Sequence, residues 1–326
     1  MIKFFRNSYF INYLLLFMMA SLLWLPSFIV LPEACHPSGT TPIYDFIVTS
    51  LESKPLLLQI IAFVLFVVEA FCFNEIMVVG KIEHKVSTIG SLAFILLMGL
   101  TSYQTMFQPA LLASLFVLPI LYVLYKIPSS QSAETDLLNA GFCIALASMS
   151  YVYSALLLIW VMVSLSITKS RSVRYQLISV IGFLLPYLFY FAILFFRGNI
   201  VEVAKGYSDF FTGFSISFDG YDIVSLVVFA ILVLVSFLPL NENVLYAQER
   251  NVDVRHNIST ASLMFLFTLV MMFMEGSVFS CGLAFLALSV HNTYSMSHLS
   301  KTIWPEFLLD MAVIAIYVMH YLPLFS

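Results

Sequence analysis

Charge is what this chain has least of. Only 10% of its 326 residues are Asp, Glu, Lys or Arg, while 61% are apolar. A soluble domain runs at roughly 25% charged and 45–50% apolar, and one core cannot hide so much apolar surface from water. The apolar runs also lack period-two alternation, which excludes a soluble β-rich protein and an outer-membrane barrel. Basic tracts are missing and the net charge is only −4, so no nucleic-acid partner is expected. Cys35, Cys72, Cys143 and Cys281 are far apart with no CxxC pair, which argues against a redox or metal motif. Pro32-Glu33-Ala34 puts a proline and a charge before Cys35, where a lipoprotein signal wants small residues. His36, His84, His256, His291, His298 and His320 fall in different loops or ends, and no HExxH is present, so no metal site is expected. With 12 glycines there is no P-loop, no GxSxG and no phosphate cradle, and no cofactor is expected.

What the chain does have is long apolar runs, at a mean hydropathy of +1.00. They are Ile11–Leu31, Leu56–Val79, Val86–Tyr103, Ala110–Tyr125, Leu137–Thr168, Tyr175–Phe196, Asp222–Leu240, Ser259–Met274, Ser277–Val290 and Ile303–Phe325. About 20 residues of helix cross ~30 Å of hydrocarbon, so most of these read as single spans. The first, behind Lys3 and Arg6, is too long for the 7–15-residue core of a cleavable signal and reads as a retained helix.

Leu137–Thr168 is too long for one ordinary span, and the positive-inside rule decides how it folds. As a single helix it divides Lys and Arg evenly, seven to seven. As two short helices breaking near Ser148–Ser154, it leaves only Lys54, Arg197 and Lys205 outside and the other eleven inside. The hairpin gives the normal bias. The expected fold is therefore all-α, a polytopic transmembrane bundle of about eleven helices with two short ones at 137–168. It is a single integral-membrane domain over 1–326, with outward loops at 32–55 and 197–221. The expected orientation puts the amino terminus on the cytoplasmic side and the carboxyl terminus on the outer side.

Ionisable residues inside lipid are costly, so each is a candidate for function. Glu69, in Phe66-Val67-Val68-Glu69-Ala70-Phe71, lies near mid-span, either as a carboxylate facing a cavity or as a hydrogen-bonded joint between helices. Glu75 is six residues on, about 600° around the helix, and does not share its face. Glu275 marks a turn before Gly276, while Glu306 and Asp310 sit near a helix start that favours acids. The turn at Ser148-Met149-Ser150-Tyr151 is slightly sunk, a candidate wall of a site or a plain tight hairpin. The outward loops supply Tyr44 and Asp45, then Tyr207, Asp209 and Asp219 among aromatic neighbours. That pattern suits a segment lying at headgroup level, and equally a groove for sugar rings or isoprenoid.

The run Asn139-Ala140-Gly141-Phe142-Cys143-Ile144-Ala145-Leu146-Ala147-Ser148-Met149-Ser150-Tyr151, then Trp160, Arg171, Arg174 and Gly182-Phe183-Leu184-Leu185-Pro186-Tyr187, resembles an uncharacterised family of inner-membrane proteins of Bacteroidetes-type bacteria. Phe4-Phe5-Arg6-Asn7-Ser8-Tyr9 and Gln108-Pro109-Ala110 are similar too. The order of elements also resembles GT-C glycosyltransferases, which use polyprenyl-linked sugars and carry a catalytic acid in the first outward loop. That resemblance implies Asp45 as the acid, although no second acid stands beside it and no large outer domain follows. Three readings stay open. One is a GT-C-like enzyme or scaffold with Asp45 and Glu69 as catalytic candidates and Tyr44, Tyr207, Asp209 and Asp219 as substrate contacts. Another is a transporter or flippase with Glu69 in its pathway. The third is a non-catalytic subunit of an envelope complex. Membrane lipids, a polyprenyl-phosphate-linked sugar and a membrane-protein partner are the corresponding partners.

Overall fold

A computed structural model describes residues 2–7, 9–32, 40–83, 87–100, 104–127, 133–167, 173–212, 252–275, 281–298 and 303–321. Among these residues the chain is all-helical, with no strand. In order the helices are α1 (Ile2–Phe5), α2 (Phe10–Ile29), α3 (Pro42–Leu51), α4 (Pro55–Val79), α5 (Ile89–Met98), α6 (Pro109–Lys126) and α7 (Ala133–Ser150). A 3-10 turn (Val152–Leu156) leads into α8 (Leu157–Ile167), α9 (Val173–Arg197), α10 (Ile200–Thr212), α11 (Val252–Glu275), α12 (Cys281–His298) and α13 (Ile303–Tyr321). Five of them, α2, α4, α6, α9 and α11, are long and apolar enough to cross a membrane. The expected span Asp222–Leu240 lies outside the described residues.

Local sequence explains several boundaries. α3, α4 and α6 each begin on proline, whose fixed φ and missing N–H suit the first helical turn. α4 ends at Gly80 in a Schellman arrangement: Lys81 N–H bonds Val78 O at 3.1 Å and Ile82 N–H bonds Met77 O at 3.1 Å. The left-handed position falls on Lys81, at φ 55, where glycine is usual.

The hairpin expected at 137–168 is present. Arg174 bonds Glu134, a Cβ on Gly182 would meet Leu138 O, one on Gly141 would meet Ser179 O, and Ser148 bonds Tyr187. The Glu134–Arg174 pair near both helix starts and the Ser148–Tyr187 pair farther along both make α7 and α9 parallel, so the segment between them runs back. Gln176 donates to Ser166 at the foot of that return. The break falls at Tyr151–Leu156, overlapping the expected 148–154 and running two residues past it, and α7 begins four residues earlier than hydropathy suggested. The crossing is tight because it is built on glycine: the added Cβ atoms would stand only 2.1 Å from Ser179 O and 2.3 Å from Leu138 O.

Two helices depart from the apolar runs. α5 has only ten residues, not the eighteen of Val86–Tyr103, and every one of them is buried, chiefly against α12 and α4. Its covered position allows irregular backbone at 99–100 and at 105–108, because protein and not lipid surrounds those residues. α12 continues past Val290 to His298, which moves His291 from a helix end to a buried helix interior. Part of its polar character is taken up by its own backbone: Asn292 and Thr293, and Ser289 just before the extension, each bond a carbonyl one turn back.

The two ends of the bundle differ. The amino-terminal end gathers residues 2–7, where Thr88 N–H bonds Phe5 O at 3.0 Å, and ion pairs Lys81–Asp253, Lys126–Asp136 and Arg174–Glu134. The far end holds α3, the irregular segment after α5, the 3-10 turn and α10. Between them runs an apolar exterior of exposed residues such as Phe10, Leu14 and Phe17 on α2 and Leu177, Ile181, Leu184 and Leu188 on α9.

Candidate functional site

The far end is where polar and aromatic groups converge. α3 lies across the irregular segment, and Tyr44 fixes it there. The Tyr44 ring stacks on Phe107 with centroids 5.4 Å apart and planes 9° apart, and its hydroxyl donates to Phe107 O at 3.4 Å. Beneath it the buried Gln59 of α4 donates to Thr105 O at 2.7 Å, and Ser27 of α2 meets the Thr105 hydroxyl at 2.6 Å. Gln108 Nε2 donates to Gln104 Oε1, and among the described residues Gln104 Nε2 and Gln108 Oε1 have no partners. This seats α3 rigidly and leaves the next residue, Asp45, partly exposed. Thr41 donates to Asp45 Oδ1 at 2.8 Å.

α9 and α10 bring the other half. Tyr187 of α9 meets Ser148 of α7 at 2.8 Å, so the wall predicted at Ser148 is joined to the cluster. Phe183, Tyr187 and Phe191 form a continuous aromatic row, and Tyr190 packs on Phe191. Tyr207, on α10, lies close enough to Tyr187, Tyr190 and Asp45 to feel each of them electrostatically. Burial pushes the Tyr207 hydroxyl up, and those three neighbours add to the shift. The Tyr207 Oη is shut off from solvent and has no hydrogen-bond partner among the described residues. A buried orphan hydroxyl costs roughly 1–3 kcal/mol and is the kind of group a ligand satisfies.

Glu69 is placed elsewhere. It lies fourteen residues along α4 from Pro55, about 21 Å of helix, and is 0% exposed. Ser114 Oγ of α6 stands 2.8 Å from Glu69 Oε2 and 2.7 Å from Leu111 O. One hydroxyl proton cannot serve both acceptors. A neutral Glu69 that donates to Ser114, which then donates to Leu111 O, satisfies the whole chain. Among the described residues, Glu69 Oε1 is left without a partner. One turn on, Ser91 of α5 donates to Ala70 O at 2.9 Å, and Asn74 both donates to Ser87 O and accepts from Ser91 N–H. The arrangement is that of a joint tying α4 to α5 and α6.

Of the residues singled out from sequence, Tyr44, Asp45 and Tyr207 thus share the far end, and Glu69 does not join them. Asp209 lies in the last turns of α10, and Asp219 lies outside the described residues. Sequence reading missed Tyr187, Tyr190 and Gln59. Tyr187 and Tyr190 sit three apart on a lipid-facing helix and read there as interface aromatics, while Gln59 was hidden one turn inside an apolar run. Among the described residues, no group of three or more His, Cys, Asp or Glu side chains converges as a metal site would.

No curated protein matches this chain, and no solved structure does. The family model of DUF6427 matches residues 42–324, from the start of α3 to beyond the end of α13, and the chain belongs to this family of unknown function.

Proposed function

We propose that this chain is a multi-pass protein of the bacterial inner membrane that handles a polyprenyl-linked glycan at its periplasmic end, on a GT-C-like scaffold. The observation behind the reading is the far-end cluster itself: one partly exposed carboxylate, Asp45, among Tyr187, Tyr190 and the orphaned hydroxyl of Tyr207. Its surroundings favour an amphipathic ligand. The helix that supplies two of the tyrosines exposes Leu184, Leu188, Phe189 and Ile193 to lipid beside them. A prenyl tail lies along that face while its polar head reaches the cluster. The amphipathic α10, with exposed Lys205, suits the headgroup level and offers a cation to a phosphate.

The charge distribution supports the orientation. At described positions the amino-terminal end carries Arg6, Lys81, Lys126, Arg174 and Arg255, and the far end carries Lys54, Arg197 and Lys205. The resemblance in element order to GT-C transferases, with an acid in the first outward loop, points the same way. In that role Asp45 takes the proton from an acceptor hydroxyl, a general-base task that needs one carboxylate within hydrogen-bond reach. Glu69 holds α4 against α6 and keeps the scaffold rigid.

The test is to purify the protein in mild detergent and identify co-purified lipid by mass spectrometry, alongside envelope glycan profiles of an Asp45→Asn strain. A polyprenyl-linked glycan bound to wild type is the expected result. Glycan assembly lost with lipid still bound makes Asp45 the base. Absence of any prenyl lipid, with glycan unchanged, overturns the reading.

A further inference from the structure

Resting on that reading, we infer that the far-end site selects an uncharged sugar headgroup over an anionic one, and that Asp45 sets the preference. The inference follows from which atoms there are left to give or take a proton.

Ser148 Oγ lies 2.8 Å from Ala145 O and 2.8 Å from Tyr187 Oη. The Ala145 carbonyl can only accept, so the Ser148 proton goes to it, and Tyr187 donates to Ser148. Tyr187 therefore turns only lone pairs toward the cluster. Asp45 is likewise an acceptor: Thr41 serves its Oδ1, and Oδ2 is left over. Among the described residues, the hydroxyl donors that stand with Asp45 and Tyr187 are Tyr190 and the orphaned Tyr207, two protons against the lone pairs of Asp45 and Tyr187. Acceptors outnumber donors there, so a fitting ligand brings O–H groups of its own. A sugar hydroxyl meets both requirements at once, donating to Asp45 or Tyr187 and accepting from Tyr207.

A carboxylated sugar keeps its ring hydroxyls but trades one O–H donor for an anion. Its carboxylate brings acceptors where acceptors are already in excess, and it sets a second negative charge near Asp45. Among the described residues, the charged groups that act on Tyr207 include Asp45 and no cation. Lys205 is two residues away on α10, about 200° around the helix, and is exposed. It is placed to meet a phosphate at the headgroup level and not a carboxylate among the tyrosines. Like charges brought within several ångströms in a half-buried site weaken binding by roughly tenfold or more.

The experiment uses the full chain in lipid nanodiscs and three probes: a short polyprenyl phosphate, the same lipid carrying one neutral hexose, and the same carrying the matching hexuronate. Affinities are read by thermophoresis for wild type, Asp45→Asn and Tyr207→Phe, each first shown to be monodisperse with its own melting temperature. Wild type is expected to bind the hexose lipid roughly tenfold tighter than the hexuronate lipid. Asp45→Asn should bring the two within about twofold, mainly by tightening the hexuronate, because asparagine keeps an acceptor oxygen and loses the charge. Tyr207→Phe should weaken the hexose lipid and leave bare polyprenyl phosphate unchanged. Equal wild-type affinity for the two sugars overturns the preference and leaves glycan handling standing. An unchanged ratio in Asp45→Asn overturns the role of Asp45. If neither glycolipid binds better than bare polyprenyl phosphate, the proposed function falls and takes this inference with it.

Discussion

Two polar regions lie within one apolar bundle and are built on opposite plans. The joint around Glu69, Ser114, Asn74 and Ser91 is buried, ties α4 to α5 and α6, and uses nearly every proton it holds. The far-end cluster is open at Asp45 and leaves the Tyr207 hydroxyl without a partner among the described residues. Polar groups in lipid are retained when they bond across helices or when something else must bond to them. The first region answers the first condition and the second region answers the other. An ionisable residue in mid-span therefore does not by itself locate function, since Glu69 has the more unusual position and Asp45 the more available atoms.

The severest way to break this comparison is to pry apart the helices that support the far end. Gly182→Val places a side chain where Leu138 O already stands 2.3 Å away, so α7 and α9 must separate. Overpacking costs typically ~1–3 kcal/mol and more where backbone blocks the way. The expected outcome is loss of the monodisperse peak in size-exclusion chromatography. Recovery of a wild-type melting temperature would show that the crossing is not tight.

Next in size is the joint itself. Glu69→Ala removes the donor to Ser114 and leaves a cavity, for a loss of roughly 2–3 kcal/mol. Glu69→Gln keeps a neutral donor in the same place and should stay within about 1 kcal/mol of wild type. Melting in detergent reads both. If Glu69→Gln were as damaging as Glu69→Ala, the residue would be needed as an acid, and its part in a transport path would return.

A gentler test lies at the amino-terminal edge of the same polar seam. Glu83 is 5% exposed, accepts from Ser87 at 2.5 Å, and is pushed by burial from 4.5 up to about 7. A raised folded value means that the folded protein holds this proton longer than the unfolded chain. The stabilisation is complete below pH 4.5 and is lost as pH rises through about 7. Wild type should melt lower at pH 8 than at pH 5.5, and Glu83→Gln should shrink that difference. An unaltered pH profile in the variant would assign the effect to another group.

The two regions were unequally legible in the sequence. Apolar length and the Lys and Arg distribution were enough for the helical bundle and for the break between α7 and α8, because burial cost and membrane topology act on composition alone. Glu69 was visible for the same reason. Asp45 and Tyr207 were visible only as polar residues in loops. What joins them is tertiary: Tyr187 enters through the α7–α9 crossing, and α3 is fixed by Tyr44 against Phe107, 63 residues away. No periodicity encodes that pairing. The truncated α5 and the extended α12 escaped for a related reason. Hydropathy cannot tell a helix that stops under cover from one that crosses, or a polar face bonded to its own backbone from a loop.

The smallest effect sharpens the comparison most, because it has opposite signs at two hydroxyls of one cluster. Tyr187→Phe removes a hydroxyl that is bonded to Ser148, so the loss is about 1 kcal/mol or somewhat more. Tyr207→Phe removes a hydroxyl that bonds nothing among the described residues and is shut off from water, so the ligand-free protein should gain up to ~1 kcal/mol. A residue kept for packing alone would not carry an oxygen that destabilises its own fold. Melting curves of delipidated protein, recorded for both variants side by side, read the two signs. A Tyr207→Phe variant less stable than wild type would mean that its hydroxyl is already satisfied in the empty protein. The far end would then be another closed joint like the one at Glu69, and no ligand would be needed to account for it.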